Sequence, residues 1–89
     1  MKAMPNQEEM NSIAAEFEAA CLADGSAIVG AAEHILIYLR RGDFVMAKYK
    51  AKLDRDKFTP WSDKHALAVL EKYFGCMLHG VIGCPECRR

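Results

Sequence analysis

The residues best suited to chemistry lie at the C-terminal end of the chain. Two pairs occur there, each with two residues between its members: Cys76 with His79, and Cys84 with Cys87. This separation allows both members of a pair to reach one metal ion, and three thiolates with one imidazole form a complete tetrahedral ligand set for zinc. The spacing therefore predicts a structural zinc site within a tail of residues 75–89.

The sequence around the second pair supports this interpretation. Cys84-Pro85-Glu86-Cys87 resembles the knuckle of a zinc ribbon, and Gly83 would allow the chain to turn tightly beside it. The spacer between the two pairs, residues 80–83, is shorter than the dozen or so residues usual in two-knuckle sites, although compact zinc knuckles place four ligands within a similar stretch. Four protein ligands leave no open coordination position, which favours a stabilising role over catalysis.

Other interpretations of these side chains stay open. His65 would replace His79 as a ligand if the tail folds back on the preceding helix. The cysteines could also be free thiols, a redox dithiol at Cys84 and Cys87, or ligands of an iron–sulfur centre. No strand–helix pattern of the thioredoxin type surrounds Cys84, and mixed nitrogen and sulfur ligands suit zinc. Zinc is therefore the cofactor that we predict.

Size and composition favour one domain, residues 1–89, that gains from added stability. A chain of 89 residues with 52% apolar and 27% charged residues should fold, but its core is small, so a metal or a partner subunit would help. The N-terminus has no apolar run after Lys2, so no secretory signal is expected. The longest apolar stretch, residues 27–39, is too short to span a bilayer. These features predict a cytoplasmic protein without a membrane partner.

Hydrophobic periodicity and capping signals predict an all-α fold, a compact bundle of about four short helices with the Cys/His-rich metal-binding tail attached. The predicted helices run from residue 6 to about 23, from 27 to about 41, from 44 to about 57, and from 59–63 to about 74, where Gly75 ends the last helix. The expected N-terminal caps are Asn6 with Glu9, Ser26, Asp43, and either Thr59 or Ser62.

Helical spacing also predicts which side chains are buried. The buried face of the first helix should consist of Met10, Ile13, Ala14, Phe17, Ala20 and Cys21. Cys21 is thus interpreted as a core residue and not as a ligand. In the third helix, Met46, Tyr49 and Leu53 are expected to face the core together with Ala47 and the aliphatic stem of Lys50.

Charge is unevenly distributed although the formal net charge is zero. Residues 1–33 contain one lysine and six acidic residues, a net charge of −5, whereas residues 40–57 contain seven basic and three acidic residues, a net charge of +4. The basic segment raises the alternative of a nucleic-acid-binding regulator that uses Arg40, Arg41, Lys48, Lys52, Arg55 and Lys57. The neutral overall charge and a pI near 6.8 argue against that alternative.

The preferred interpretation is a non-enzymatic interaction module, a regulator or adaptor that binds another protein and is stabilised by zinc. A homodimer is an alternative way of burying surface. No motif places a nucleophile beside a base and no glycine-rich loop follows a strand, so we predict no catalytic residues and no enzyme activity. A thiol redox protein is the second alternative.

Overall fold

The computed structural model describes residues 5–59 and 61–75 of the chain. They form four α-helices, α1 (Gln7–Ala23), α2 (Ala31–Arg40), α3 (Phe44–Leu53) and α4 (Lys64–Phe74), with a short 3-10 helix at Arg55–Lys57. Within these two ranges there is no strand. The prediction of a compact all-α bundle of four helices is confirmed, whereas the metal-binding tail lies outside the described residues. None of the described helices combines the length and the apolar character needed to cross a membrane.

Helix α1 has the predicted start and the predicted buried face. The side chain of Asn6 accepts a hydrogen bond from the backbone N–H of Glu9 at 2.8 Å, and the Asn6 N–H donates to Glu9 Oε1 at 2.9 Å, which completes a capping box. All six residues expected on the inner face are buried: Met10, Ile13, Ala14, Phe17, Ala20 and Cys21. Periodicity predicted this face correctly because the apolar stripe is uninterrupted over about three turns.

Helix α2 begins four residues later than predicted. Gly30 precedes it with a φ of +62°, a left-handed conformation that favours glycine and breaks any helix begun at Ala27. Ser26 is not its cap; the Ser26 hydroxyl instead donates to Asp63 Oδ1 at 3.4 Å, across to the connection before α4. The expectation of a helix from residue 27 is therefore wrong, because Gly30 forms the boundary of the helix.

Helices α3 and α4 differ from prediction at one end each. Asp43 caps α3 as expected, since the N–H of Met46 donates to Asp43 Oδ1 at 3.1 Å. The helix then ends at Leu53, and the chain continues as the 3-10 helix up to Lys57. Helix α4 begins at Lys64, so neither Thr59 nor Ser62 is its cap, and it ends at Gly75 as predicted.

The core lies between α1 and the three helices that follow. Its largest fully buried side chains come from α1, α2 and α4: Phe17, Met10, Ile35, Leu39 and Leu70. Helix α1 packs against α2 and α4, and α3 packs mainly against α2. Two aromatic contacts connect the elements further, Phe17 with Phe58 at 6.5 Å between ring centroids and Phe44 with Phe74 at 5.2 Å.

Helix α3 presents to the core the side opposite to the one predicted. Its fully buried residues are Ala47 and Ala51, whereas Tyr49 and Leu53 are exposed and Met46 lies at the surface. Alanine allows α3 to approach its neighbours closely, so the side of the helix that carries the smallest side chains faces the core. The expectation that Met46, Tyr49 and Leu53 face the core is wrong; only Ala47 of that group is buried.

The orientation of α3 can be tested by enlarging one residue on each side. Replacing Ala51, which is 0% exposed, by Leu should lower the free energy of unfolding by about 1–3 kcal/mol, because the close packing leaves no room for three more carbons. The matched change Val45→Leu should alter it by less than about 0.5 kcal/mol because Val45 is exposed. Denaturant unfolding of both variants measures this. Stabilisation by Ala51→Leu would contradict the observed packing.

Candidate functional site

The four predicted zinc ligands, Cys76, His79, Cys84 and Cys87, lie outside the described residues. The structure does fix where their segment begins, because Gly75 ends α4 close to α3. A Cβ atom built on Gly75 would lie 3.8 Å from Lys52 Nζ. Over residues 5–59 and 61–75, no group of three or more His, Cys, Asp or Glu side chains could hold a metal. The zinc site thus stays a prediction that rests on the spacing of the four residues.

His65, the alternative ligand, is engaged by a carboxylate at the start of α4. Its Nδ1 lies 2.7 Å from Asp24 Oδ1, which leaves Nε2 for another contact. His65 precedes Gly75 by ten residues of helix, about 15 Å at a rise of 1.5 Å per residue. A zinc site that includes His65 would require the tail to run back along the whole of α4.

Asp24 connects the end of α1 to the start of α4. Its carboxylate accepts the backbone N–H of His65 at 3.0 Å and that of Ala66 at 2.9 Å, so it caps a helix that starts forty residues later in the sequence. The side chain is only 3% exposed. Burial raises the pKa of Asp24, but the hydrogen bonds from Ala66 and His65 outweigh burial and hold that pKa below its ordinary value.

Cys21 is a buried thiol at the same end of the bundle. Burial, followed by the negative charges of Asp24, Asp63 and Glu18, raises the pKa of Cys21 to about 11. The thiol is therefore protonated at neutral pH and is a weak nucleophile. This agrees with the interpretation of Cys21 as a core residue.

A cleft of about 260 Å³ lies next to Cys21, between the α1–α2 loop and the connection that leads to α4. It is lined mainly by small and apolar residues, with polar groups from Ser26, Lys57 and Asp63. Binding sites for small molecules usually measure about 300–1,000 Å³. The cleft is thus small for a substrate site, and within it the Ser26 hydroxyl donates to Asp63 Oδ1 at 3.4 Å.

The six basic residues of the nucleic-acid alternative are spread over three elements. Arg40, in α2, pairs with Glu18 of α1 at 2.6 Å, and the guanidinium of Arg41 lies 6.0 Å from the ring centroid of Tyr38. Lys48 and Lys52 lie one turn apart on α3, and Arg55, beyond the end of that helix, donates to the Lys52 carbonyl at 3.1 Å. Lys57 lines the cleft.

The most distinctive surface is the outer face of α3, which we define as Val45, Met46, Tyr49 and Leu53. Their spacing of three and four residues places them on one side of the helix, opposite Ala47 and Ala51. They are 62%, 36%, 57% and 55% exposed, respectively. The sequence analysis did not predict this surface because it assigned the larger apolar residues to the core. The spacing of Ala47 and Ala51 was the signal that another side of α3 could pack there.

Lysines border the outer face on both sides. Lys48 and Lys52 follow Val45 and Tyr49 by three residues each, so they lie along one edge. Lys50 lies on the other edge, four residues after Met46, and pairs with Asp54 at 2.8 Å. Helix α3 itself contains no acidic residue. The face is therefore an apolar strip with Lys48 and Lys52 along one edge and the Lys50–Asp54 ion pair along the other.

No protein-family profile matches the chain, and neither the curated proteins nor the solved structures include a significant match. The two informative features of the chain itself are the outer face of α3 and the nearby start of the Cys/His-rich tail.

The cap formed by Asp24 can be tested by removing its charge. Asp24→Asn should lower the free energy of unfolding at pH 7 by about 1–2 kcal/mol, because the amide presents only one acceptor oxygen to two N–H groups. Because the folded-state pKa of Asp24 is lowered, the charge stabilises the fold above the unfolded value near 3.9 and ceases to do so as the pH falls through the folded pKa.

Urea unfolding at pH 7, 5 and 3 measures this dependence. The difference between wild type and Asp24→Asn should be similar at pH 7 and 5 and smaller at pH 3. Asp56→Asn, a change in an exposed residue of the 3-10 helix, is the control and should have little effect. If the loss of stability in Asp24→Asn does not become smaller at low pH, the cap does not depend on the charge of Asp24.

Proposed function

We propose that the chain is a small, non-enzymatic interaction module, a regulator or adaptor of the cytoplasm, that binds another protein through the outer face of α3. The observation that carries this proposal is the inverted orientation of α3. A short chain that needs buried apolar surface nevertheless places four of its larger apolar side chains outside and two alanines inside. Contiguous exposed apolar residues of this kind are typical of sites that bind a partner.

The composition and rigidity of the face support the same role. Tyrosine contributes a large, amphipathic contact surface at low entropic cost and is enriched among residues that dominate binding energy. The helix is held in place at its N-terminus by the Asp43 cap and by the contact of Phe44 with Phe74. A preorganised surface loses little conformational freedom on binding, which favours affinity.

We further propose that a structural zinc ion bound by Cys76, His79, Cys84 and Cys87 stabilises this module. The donor set suits zinc, since three thiolates and one imidazole satisfy its tetrahedral preference and leave no position for a substrate. A reducing cytoplasm would keep the thiols available as ligands. When bound, zinc would supply a cross-link within the tail, and thereby folding free energy that a small core lacks.

Partner binding is tested by removing the apolar character of α3. The double variant Tyr49→Ser, Leu53→Ser should lose specific partners when the tagged protein is used for affinity capture from an extract, because both side chains belong to the proposed contact. The loss should be at least about tenfold. Leu22→Ser is the matched control, since Leu22 is 62% exposed but lies on α1. Equal loss in both variants, or no loss in either, would refute the role of α3.

Zinc binding is tested by elemental analysis and unfolding. The purified protein should contain about one zinc per chain, and Cys84→Ser should both reduce the zinc content and lower the thermal midpoint, because it removes one of four ligands. Cys21→Ala is the control for cysteine loss and should retain zinc, because Cys21 lies in the core. Metal-free wild-type protein that is insensitive to chelator would exclude the site.

A further inference from the structure

We propose that the partner of the outer face of α3 is an acidic amphipathic helix, which packs its apolar side on the face and places carboxylates beside Lys48, Lys50 and Lys52. This inference rests on the proposed function and specifies the chemistry of the partner. It is carried by the combination of the exposed strip with the net positive charge of the helix that bears it.

The shape of the strip matches a helix. Val45, Tyr49 and Leu53 succeed one another at four-residue intervals, so the strip follows the axis of α3 over its ten residues, about 15 Å. An amphipathic helix binds through residues at comparable intervals, three or four apart. A partner helix of about three to four turns would therefore cover the whole strip.

The charge of α3 indicates which charge its partner should carry. Residues 44–54 contain three lysines, Lys48, Lys50 and Lys52, and one acidic residue, Asp54, so their net charge is +2. Asp54 lies beyond the last turn of α3 and pairs with Lys50 at 2.8 Å. A partner with carboxylates beside its apolar stripe would be complementary to the net positive charge of these residues, whereas a basic partner would meet like charge.

A second copy of the chain complements this face less well. Two α3 helices packed face to face would bring the lysines of both copies together. The acidic helix α1 of a second copy is also a poor partner, because its apolar side is buried in the core of its own chain and three of its four glutamates have partners there. Glu9 belongs to the capping box, Glu16 accepts from Lys72 and from Tyr73, and Glu18 pairs with Arg40.

The chain's own tail also lacks the required charge. Residues 76–89 contain apolar side chains, but their formal charges are one glutamate against two arginines, a net charge of +1. The tail begins near Lys52 and is long enough to reach the strip, yet it would bring positive charge to a positive surface. Electrostatic complementarity therefore favours a separate, acidic partner.

The test uses two fluorescein-labelled helical peptides of about four turns with identical leucine stripes, one flanked by glutamates and the other by lysines. Fluorescence anisotropy with the full-length protein should show that the acidic peptide binds at least about tenfold more tightly in low salt. The advantage should shrink as salt is raised, because salt screens exposed charges. Equal affinities, a preference for the basic peptide, or no binding of either peptide would overturn the proposal.

Charge reversal on α3 provides the matched variants. Lys48→Glu combined with Lys52→Glu should abolish or reverse the preference for the acidic peptide, whereas Lys64→Glu, a change at an exposed position of α4, should preserve it. The double variant Tyr49→Ser, Leu53→Ser should weaken the binding of both peptides. If charge reversal leaves the preference intact, the lysines of α3 do not select the partner and the proposal fails.

Two further outcomes would assign the face to another occupant and overturn the proposal. One is a dimer in analytical ultracentrifugation that Tyr49→Ser, Leu53→Ser dissociates, which identifies a second copy. The other is faster hydrogen exchange of α3 in the variant Val81→Ser, Ile82→Ser, which would identify the tail as the occupant of the outer face. If capture from extract depends on Tyr49 and Leu53 while the peptides show no preference, the interaction function stands and only the acidic helix is refuted.

Discussion

The arrangement of this bundle depends on how closely α3 can approach its neighbours. Ala47 and Ala51 are both fully buried, and they present no side chain longer than a methyl group to the rest of the fold. Close approach of α3 leaves its larger apolar residues on the opposite side, because a helix that turns two alanines inward must turn residues two positions away outward. The core is then built mainly from α1, α2 and α4, and the larger apolar side chains of α3 are exposed.

A second constraint connects elements that are distant in sequence. Asp24 ends α1, and its carboxylate satisfies two backbone N–H groups at the start of α4. Ser26 donates to Asp63 within the same region. These contacts tie the α1–α2 loop to the connection that precedes α4, while Phe44 and Phe74 hold the opposite end of α4 against α3. Helix α4 is thus fixed at both ends, and the position of Gly75, which precedes the Cys/His-rich tail in the sequence, is fixed with it.

Much of this fold could be predicted from the sequence where the signals are local. The capping box of α1, the Asp43 cap and the helix stop at Gly75 each involve residues within one turn, so their spacing is visible in the sequence. The start of α4 was missed because its cap, Asp24, lies forty residues away. The outer face of α3 was missed because α3 has two apolar sides. The sequence pattern identifies the apolar residues, but it does not show which of the two sides packs against the core. The metal site was proposed from spacing alone, and its ligands lie outside the described residues.

The long-range cap has a consequence for how the chain is made. On the ribosome, synthesis proceeds from the N-terminus, so α1 and its terminal carboxylate emerge well before the amide groups that they bind. Until residue 66 has left the exit tunnel, Asp24 has no helix to cap, and the apolar side of α1 that later contacts α4 has only α2 to cover it. Assembly of the bundle is therefore completed only when α4 has been synthesised and can pack on α1.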